Sequence, residues 1–484
     1  MAIKRTRKSS RPAAAKPKRA ARGTGPVLPM VRYSRDWCRV DLRQVPHIRG
    51  AVPGPRSRRM HQATSAIYKG LSGQVKLFPV CWREGYGCVL TDVDGNRYLD
   101  FSSGIYVTTL GHCHPKISQA VAYWANRLMN CHDFTTPVKE ALMGKLVEVL
   151  GGDLNGVQLY DSGTVAVEAA IRLCRAATGK TEILSCFQDF HGKTLGSVSC
   201  ARMNAMYAST RMPGFYMLPR PDAYRPLWRR RDGSCDTDSY LDFYDQFIRE
   251  ATTGQVAAFV LEPIQGWAGT IMPPEDFFPK LRRFCDQRKI LLVADEVLTG
   301  TGRTGKWMCM EHWDVSPDIV TLGKGFGNGF PVTACVARDG IKDQFDRISA
   351  SSSYGGNPMA CAAALASLEV IEEEDLLANA LALGEAAMER MERMKAAHRI
   401  IGDVRAKGCL MGIELVKDRD TKEPFDEAGR MVYVKAFQKG LAWIPAGHIL
   451  RMSPPIVMNE AELAKGLDII EEAIAETENQ LGYA

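Results

Sequence analysis

Short apolar runs alternate with helical stretches through the middle of this chain. Residues 157–160, 182–186, 256–261, 290–294, 319–322 and 332–337 are each four to six residues long and largely apolar. Runs that short, apolar at successive positions, suit strands covered on both faces. The stretches between them have room for crossover helices, so the pattern predicts an α/β domain with a mostly parallel sheet. One such helix is expected from Thr164 to Ala177, ending at Gly179. Before this region, residues 89–99 read as a hairpin that turns at Asp94-Gly95. Residues 36–75 show no strong period and are expected to wrap the surface. After Asn357 two helices are predicted, over 365–373 and 376–396, and then an α+β segment from Ile401 to the end. The expected division is a disordered arm over 1–35, an N-terminal segment over 36–115 that joins a small domain, a large domain over 116–356 and a C-terminal small domain over 357–484. No apolar run approaches the roughly 18–20 residues that span a bilayer, so no membrane segment is expected.

Charge changes this picture at one end. The net charge is +7, but residues 1–35 hold eleven Lys/Arg and no acid. Without them, 51 basic residues face 55 acidic ones, so the body is mildly acidic. The arm has too few apolar residues to order itself and reads as solvated. A polyanion-binding arm or a targeting segment fits the same composition. The fourteen cysteines are scattered singly from Cys38 to Cys409, with no C-x-x-C pair. That spacing points away from a metal site and toward reduced thiols in a cytoplasmic protein.

In an open α/β sheet, ligands bind beyond the carboxyl ends of the strands. The residues there are Ser162-Gly163-Thr164, Phe190-His191-Gly192, Glu262, Asp295-Glu296 and Lys324. A lysine in a partly dry site loses its charge more easily and becomes a nucleophile or base. Asp295 ends an apolar run, where a carboxylate needs a cationic partner such as a protonated ring nitrogen, and His191 is placed to orient it. Ser162, Gly163 and Thr164 open a helix, whose free N–H groups and hydroxyls suit a phosphate. Phe190 and Val297 could cover the two faces of a flat ring. Taken singly, each also fits an ordinary cap, core residue or surface lysine.

Together and in this order they resemble the class III aminotransferases. The resemblance rests on Asp295-Glu296-Val297-Leu298-Thr299-Gly300-Thr301-Gly302-Arg303-Thr304-Gly305-Lys306 and on Pro317-Asp318-Ile319-Val320-Thr321-Leu322-Gly323-Lys324-Gly325. It continues in Leu110-Gly111-His112-Cys113-His114-Pro115, Phe190-His191-Gly192-Lys193-Thr194, Glu262-Pro263-Ile264-Gln265-Gly266 and Tyr354-Gly355-Gly356-Asn357-Pro358. Arg220–Pro226 and Ile401–Arg405 look most like the dialkylglycine decarboxylase branch. The resemblance implies a fold-type I enzyme with a mostly parallel, seven-stranded-type sheet and a smaller α+β domain. It implies pyridoxal phosphate as cofactor, carried by Lys324 as a Schiff base, with Lys324 also moving the substrate's α-proton. It further implies Asp295 on the ring nitrogen, and Gly163, Thr164 and the partner subunit's Ser353 on the phosphate. Arg451 matches the arginine that binds a substrate carboxylate. The working unit implied is a homodimer with shared sites, or a tetramer, acting on small molecules with neither membrane nor nucleic acid.

Four positions depart from the family pattern. Trp267 stands where a glutamate often parks the arginine, which favours a pyruvate-type acceptor and an apolar pocket. Ile105 replaces the decarboxylase branch's glutamine, and Tyr106 sits where amine transaminases often carry an aromatic. Val165 replaces a common glutamate, and a looser local network is expected there. Leu298 replaces a frequent glutamine. The leading expectation is therefore amino-group transfer from an amino acid or amine to a 2-oxo acid. The alternatives are a decarboxylating transaminase, an amino-acid epimerase and, outside enzymes, a polyanion-binding protein that works through its arm.

Overall fold

The computed structural model describes residues 26–201, 211–444 and 447–483. Most of the expected basic arm, residues 1–25, lies outside them. The described remainder of it, from Pro26, is bound to the body. Trp124 Nε1 donates to the Val27 carbonyl at 2.8 Å and Tyr123 Oη to the Pro26 carbonyl at 3.0 Å, while Val27 and Leu28 pack on the core.

Strands β1 (Trp82–Tyr86), β2 (Val89–Asp92) and β3 (Arg97–Asp100) form an antiparallel meander. The expected turn at Asp94-Gly95 joins β2 to β3, with Gly95 at φ 88°. Asp94 has a second task. Its carboxylate accepts the N–H groups of Arg56 and Ser57 at 2.8 and 2.9 Å, supplying the N-terminal cap of the helix Pro55–Ile67. That helix lies within residues 36–75, the stretch without a strong period that was expected to wrap the surface. It is polar and largely exposed, so it carries little apolar period, and its cap comes from elsewhere in the chain.

The large sheet contains β4 (Leu154–Tyr160), β5 (Glu182–Cys186), β6 (Phe215–Leu218), β7 (Val256–Leu261), β8 (Leu291–Glu296), β9 (Ile319–Leu322) and β10 (Thr333–Arg338). Their spatial order is β4-β10-β9-β8-β7-β5-β6. Only β10 runs against its neighbours β4 and β9; the other pairs are parallel. β5 and β7 are buried at every residue, as strands covered on both faces must be. The helix Gly163–Thr178 packs across the sheet and ends on Gly179 at φ 69°.

The C-terminal part adds the antiparallel strands β11 (Ile401–Lys407), β12 (Leu410–Leu415) and β14 (Ile449–Met452). Strand β13 (Leu441–Ala442) pairs in parallel with β3, so chain ends far apart in sequence share one sheet. Long helices follow Asn357 at Pro358–Glu373 and Leu376–Ala397, within one residue of the second expected helix and longer than the first.

One packing contact positions the site. In the last helix, Glu460–Leu481, a Cβ built on Gly466 would lie 2.0 Å from the Phe101 ring, and that ring is fully buried. Phe101 leads directly into the turn that forms one wall of the cavity below. A helix-interior Gly→Ala change normally stabilises by up to about 1 kcal/mol. Here overpacking outweighs that gain, costing about 1–3 kcal/mol. Gly466→Ala should therefore lower the melting temperature in differential scanning calorimetry; a rise would show that Phe101 moves freely.

Candidate active site

The carboxyl ends of β4, β5, β7, β8 and β9 open on one cavity of about 540 Å³. Lys324, Asp295, Glu262 and His191 are on its wall, with Ser162, Gly163 and Thr164 at the start of the long helix. The rest is mostly apolar, including Phe190, Trp267, Val297, Ile105 and Tyr106. These twelve residues, all singled out from the sequence, thus meet in one space.

Lys324 follows β9 in a strained conformation, φ 44°, which a non-glycine residue adopts at a cost of about 1–2 kcal/mol. Burial pushes its amine below the ordinary lysine range, and the nearby Asp295 and Glu262 charges only partly oppose this. Asp295 ends β8. Its Oδ2 lies 2.7 Å from His191 Nδ1, and its Oδ1 accepts Thr321 Oγ1 at 2.8 Å and the Val297 N–H at 3.2 Å. Burial opposes its charge, but His191 and these donors hold the carboxyl below the usual carboxylate range. Burial likewise opposes a charge on His191, yet Asp189 and Asp295 outweigh it and raise the imidazole to about 10. Glu262 accepts the N–H of Phe190 at 2.8 Å and of Gly266 at 3.0 Å, joining the two loops that carry the aromatic walls. Burial and the Asp189 charge push it up to about 7.

Thr164 Oγ1 is a hydroxyl hub, 2.8 Å from Thr194 Oγ1 and 2.7 Å from Ser197 Oγ. Glu168 braces the same corner. It accepts Thr194 Oγ1 at 2.6 Å and the N–H groups of Gly196 and Ser197 at 2.8 and 3.1 Å. The local network is therefore not loosened by Val165, because a carboxylate three residues on, one helical turn away, supplies the contacts. A Cβ on Gly163 would stand 3.0 Å from a Val297 methyl, so glycine lets the helix start approach that wall without displacing Val297.

The wall bearing Ile105 is unusual. Ser103, Gly104, Ile105 and Tyr106 all have positive φ, 45°, 54°, 68° and 66°, and form a left-handed turn. Left-handed backbone is rare for any residue but glycine, and rarer for a β-branched one. Asp100 holds it by accepting the N–H groups of Ser102 and Ser103 at 2.8 and 3.1 Å, and Ser103 Oγ donates to the Ser453 carbonyl at 2.6 Å.

Two expected site residues lie off the cavity. Ser353 is exposed, and its carbonyl accepts Asn130 Nδ2 at 3.0 Å. Arg451, on β14, is 2% exposed. Its guanidinium donates to the carbonyls of Gly266 and Trp267 at 3.3 and 3.2 Å and lies 4.7 Å from the Trp267 ring centre. Trp267 lines the cavity, as does Tyr106, whose ring centre lies 5.9 Å from the same guanidinium. Leu298 fills the floor, where a Cβ on Gly266 would meet it at 2.2 Å. Sequence reasoning missed Asp189 and Glu168, whose roles depend on contacts between separate loops.

These parts fit a flat, anionic, nitrogen-containing ring bearing a phosphate. An ionised carboxylate braced by an imidazole faces one end of the space. A helix N-terminus with hydroxyls faces the other, and apolar side chains lie between. Pyridoxal phosphate has that shape and charge.

Residues 71–474 match the family model for class-III aminotransferases. An alanine/serine racemase of Pyrococcus horikoshii is 36% identical over 468 residues, covering 93% of this chain and 97% of the racemase. An acetylornithine aminotransferase of Methanopyrus kandleri is 36% identical over 400 residues, covering 82% and 95%. Among solved structures, an amine transaminase from an uncultivated Pseudomonas species, in its pyridoxal-phosphate-bound form, superposes with a TM-score of 0.79. It is 29% identical and covers 85% of this chain and 98% of that one. By the extent of the family match, the identity to its curated relatives and the shared fold, this chain belongs to the class III aminotransferases, enzymes that work with pyridoxal phosphate.

Proposed function

We propose that the cavity moves an amino group from an amino acid or amine to a small 2-oxo acid of the pyruvate type. The observation that carries this reading is the partly dry Lys324 amine, which shares one apolar cavity with the braced carboxylate of Asp295. When bound, pyridoxal phosphate supplies the electron sink that lets a bond at the substrate's α-carbon break. Lys324 takes the α-proton and returns it, a role that burial favours by holding its amine below the ordinary lysine range. Asp295 remains ionised and holds the ring nitrogen, with His191 fixing its orientation. Ser162, Gly163 and Thr164 hold the phosphate. Phe190 and Val297 cover the ring faces. Ser353 reaches the phosphate of a second copy's site, which accounts for its exposure away from its own cavity and makes the working unit a homodimer. The free cysteines fit a reducing, cytoplasmic setting.

Substrate choice follows from the wall. Ile105, Tyr106 and Trp267 line an apolar space, and Arg451 is held on the Gly266 and Trp267 carbonyls rather than free in the cavity. A dicarboxylate would put a second charge against that apolar wall, at a cost of several kcal/mol unless it is paired. A monocarboxylate or amine avoids this. Epimerisation is the second reading, supported by the racemase that matches this chain over nearly its whole length. Ile105 offers no hydrogen bond to a departing carboxylate, so the wall lends decarboxylation no support.

With an amino acid donor and pyruvate, alanine should appear in step with the donor's oxo acid and without CO2, as followed by chromatography. Stoichiometric CO2 would instead assign decarboxylation. In D2O without acceptor, the donor should exchange its α-hydrogen and keep its configuration. Appearance of the deuterated opposite enantiomer as fast as exchange would establish the second reading.

A carboxylated donor would have to draw Arg451 off the Gly266 and Trp267 carbonyls, and Arg451→Ala should then lower kcat/KM for such donors by about 10–100-fold, the worth of a charge-assisted hydrogen bond, and for plain amines by far less. Equal losses on both would refute a carboxylate-binding role.

A further inference from the structure

Asp189 has no part in the reaction proposed above, yet it is buried, 2% exposed, directly behind His191. Its Oδ2 lies 3.4 Å from His191 Nε2, on the far side of the ring from the 2.7 Å contact between His191 Nδ1 and Asp295. Its Oδ1 accepts Gln265 Nε2 at 2.6 Å and lies 3.6 Å from the Arg220 guanidinium. A carboxylate therefore lies beside each ring nitrogen of His191, hydrogen-bonded at Nδ1 and 3.4 Å away without hydrogen-bond geometry at Nε2, and the side chain is shut off from solvent. A neutral imidazole has one N–H and can serve only one of them. The other acid would then confront a nitrogen lone pair in a dry space, a costly arrangement. The charged groups around the ring are Asp189, Asp295 and Glu262 on the anionic side, and Arg220 and Lys324 on the cationic side.

We propose that Asp189 is a positioning residue that keeps His191 doubly protonated, so that Asp295 meets the cofactor as a carboxylate paired with an imidazolium. The two acids raise the imidazole to about 10, so the cation persists across the neutral range. Because the folded value lies above the ordinary 6.5, the stabilisation is complete below that pH and is lost as pH rises through about 10. Through Gln265, Asp189 also ties this charged chain to the turn that carries Trp267. The inference rests on reading Asp295 as the partner of the ring nitrogen; the protonation of His191 is measurable without it.

The test is NMR of the holoenzyme labelled with ¹⁵N-histidine, the His191 signals being assigned from His191→Asn. In the wild type both ring nitrogens should carry protons at pH 7 and still at pH 8.5. In Asp189→Asn the ring should become neutral within that range, and Asp189→Glu should restore the cation. The wild-type melting temperature should fall between pH 8.5 and 10.5 more steeply than that of Asp189→Asn. A neutral His191 in the wild type at pH 7 would overturn the proposal, as would an imidazolium unchanged in Asp189→Asn at pH 8.5. The wild-type spectrum decides even if the variant fails to fold. A neutral ring in a yellow, active enzyme removes the role of Asp189 alone. An imidazolium in a protein that neither binds the cofactor nor transfers an amino group removes the functional reading instead.

Discussion

Three carboxylates lie buried at the ends of neighbouring strands, and the rest of the site is arranged around that fact. Asp189, Glu262 and Asp295 are each 4% exposed or less. Leaving such charges unpaired would cost several kcal/mol apiece, a large part of the net stability of a domain. The structure gives each one partners. Asp295 has His191, Thr321 and a backbone N–H; Glu262 has two backbone N–H groups; Asp189 has Gln265, Arg220 and the far edge of His191. Those bonds run between the loops after β5, β7 and β8. The requirement to satisfy the acids therefore also fixes where Phe190, Trp267 and Val297 stand. The electrostatics that tune Lys324 and the shape of the apolar pocket have one origin.

Strained backbone also lines the cavity. Lys324 and the turn Ser103–Tyr106 both occupy left-handed backbone. The turn is held by Asp100 from within and by Ser453 from the strand region that bears Arg451. Buried Arg303 ties the same parts together, donating to the Pro454 carbonyl at 2.6 Å and to Thr109 Oγ1 at 2.9 Å. A pocket wall fixed in this way presents Ile105 and Tyr106 without the freedom of an ordinary loop, and selectivity by shape needs that rigidity.

Much of this was legible in the sequence because parallel strands buried on both faces announce themselves as unbroken apolar runs. Once β4, β5, β7, β8 and β9 were placed, the residues beyond their ends were the site. β6 went unread because only its two end residues are fully buried and it borders the sheet. The helix Pro55–Ile67 is too polar to show a period, and the acid that caps it sits in a distant hairpin. Nothing in Ser-Gly-Ile-Tyr announces four left-handed residues, since only one is glycine. The arginine at 451 was readable as a residue type, but its retention on the Gly266 and Trp267 carbonyls depends on positions that no spacing encodes. Asp189 carries no signal of its own in the sequence, since its place beside His191 comes only from the folded loops.

The central claim is that Lys324 is the lysine that holds the cofactor. Borohydride reduction of the pyridoxal-phosphate-loaded protein, followed by peptide mass spectrometry, tests it most directly. The account predicts a phosphopyridoxyl mass on the peptide containing Lys324 and on no other in stoichiometric amount. Stoichiometric labelling of another cavity lysine, such as Lys193, or of none at all, would contradict it.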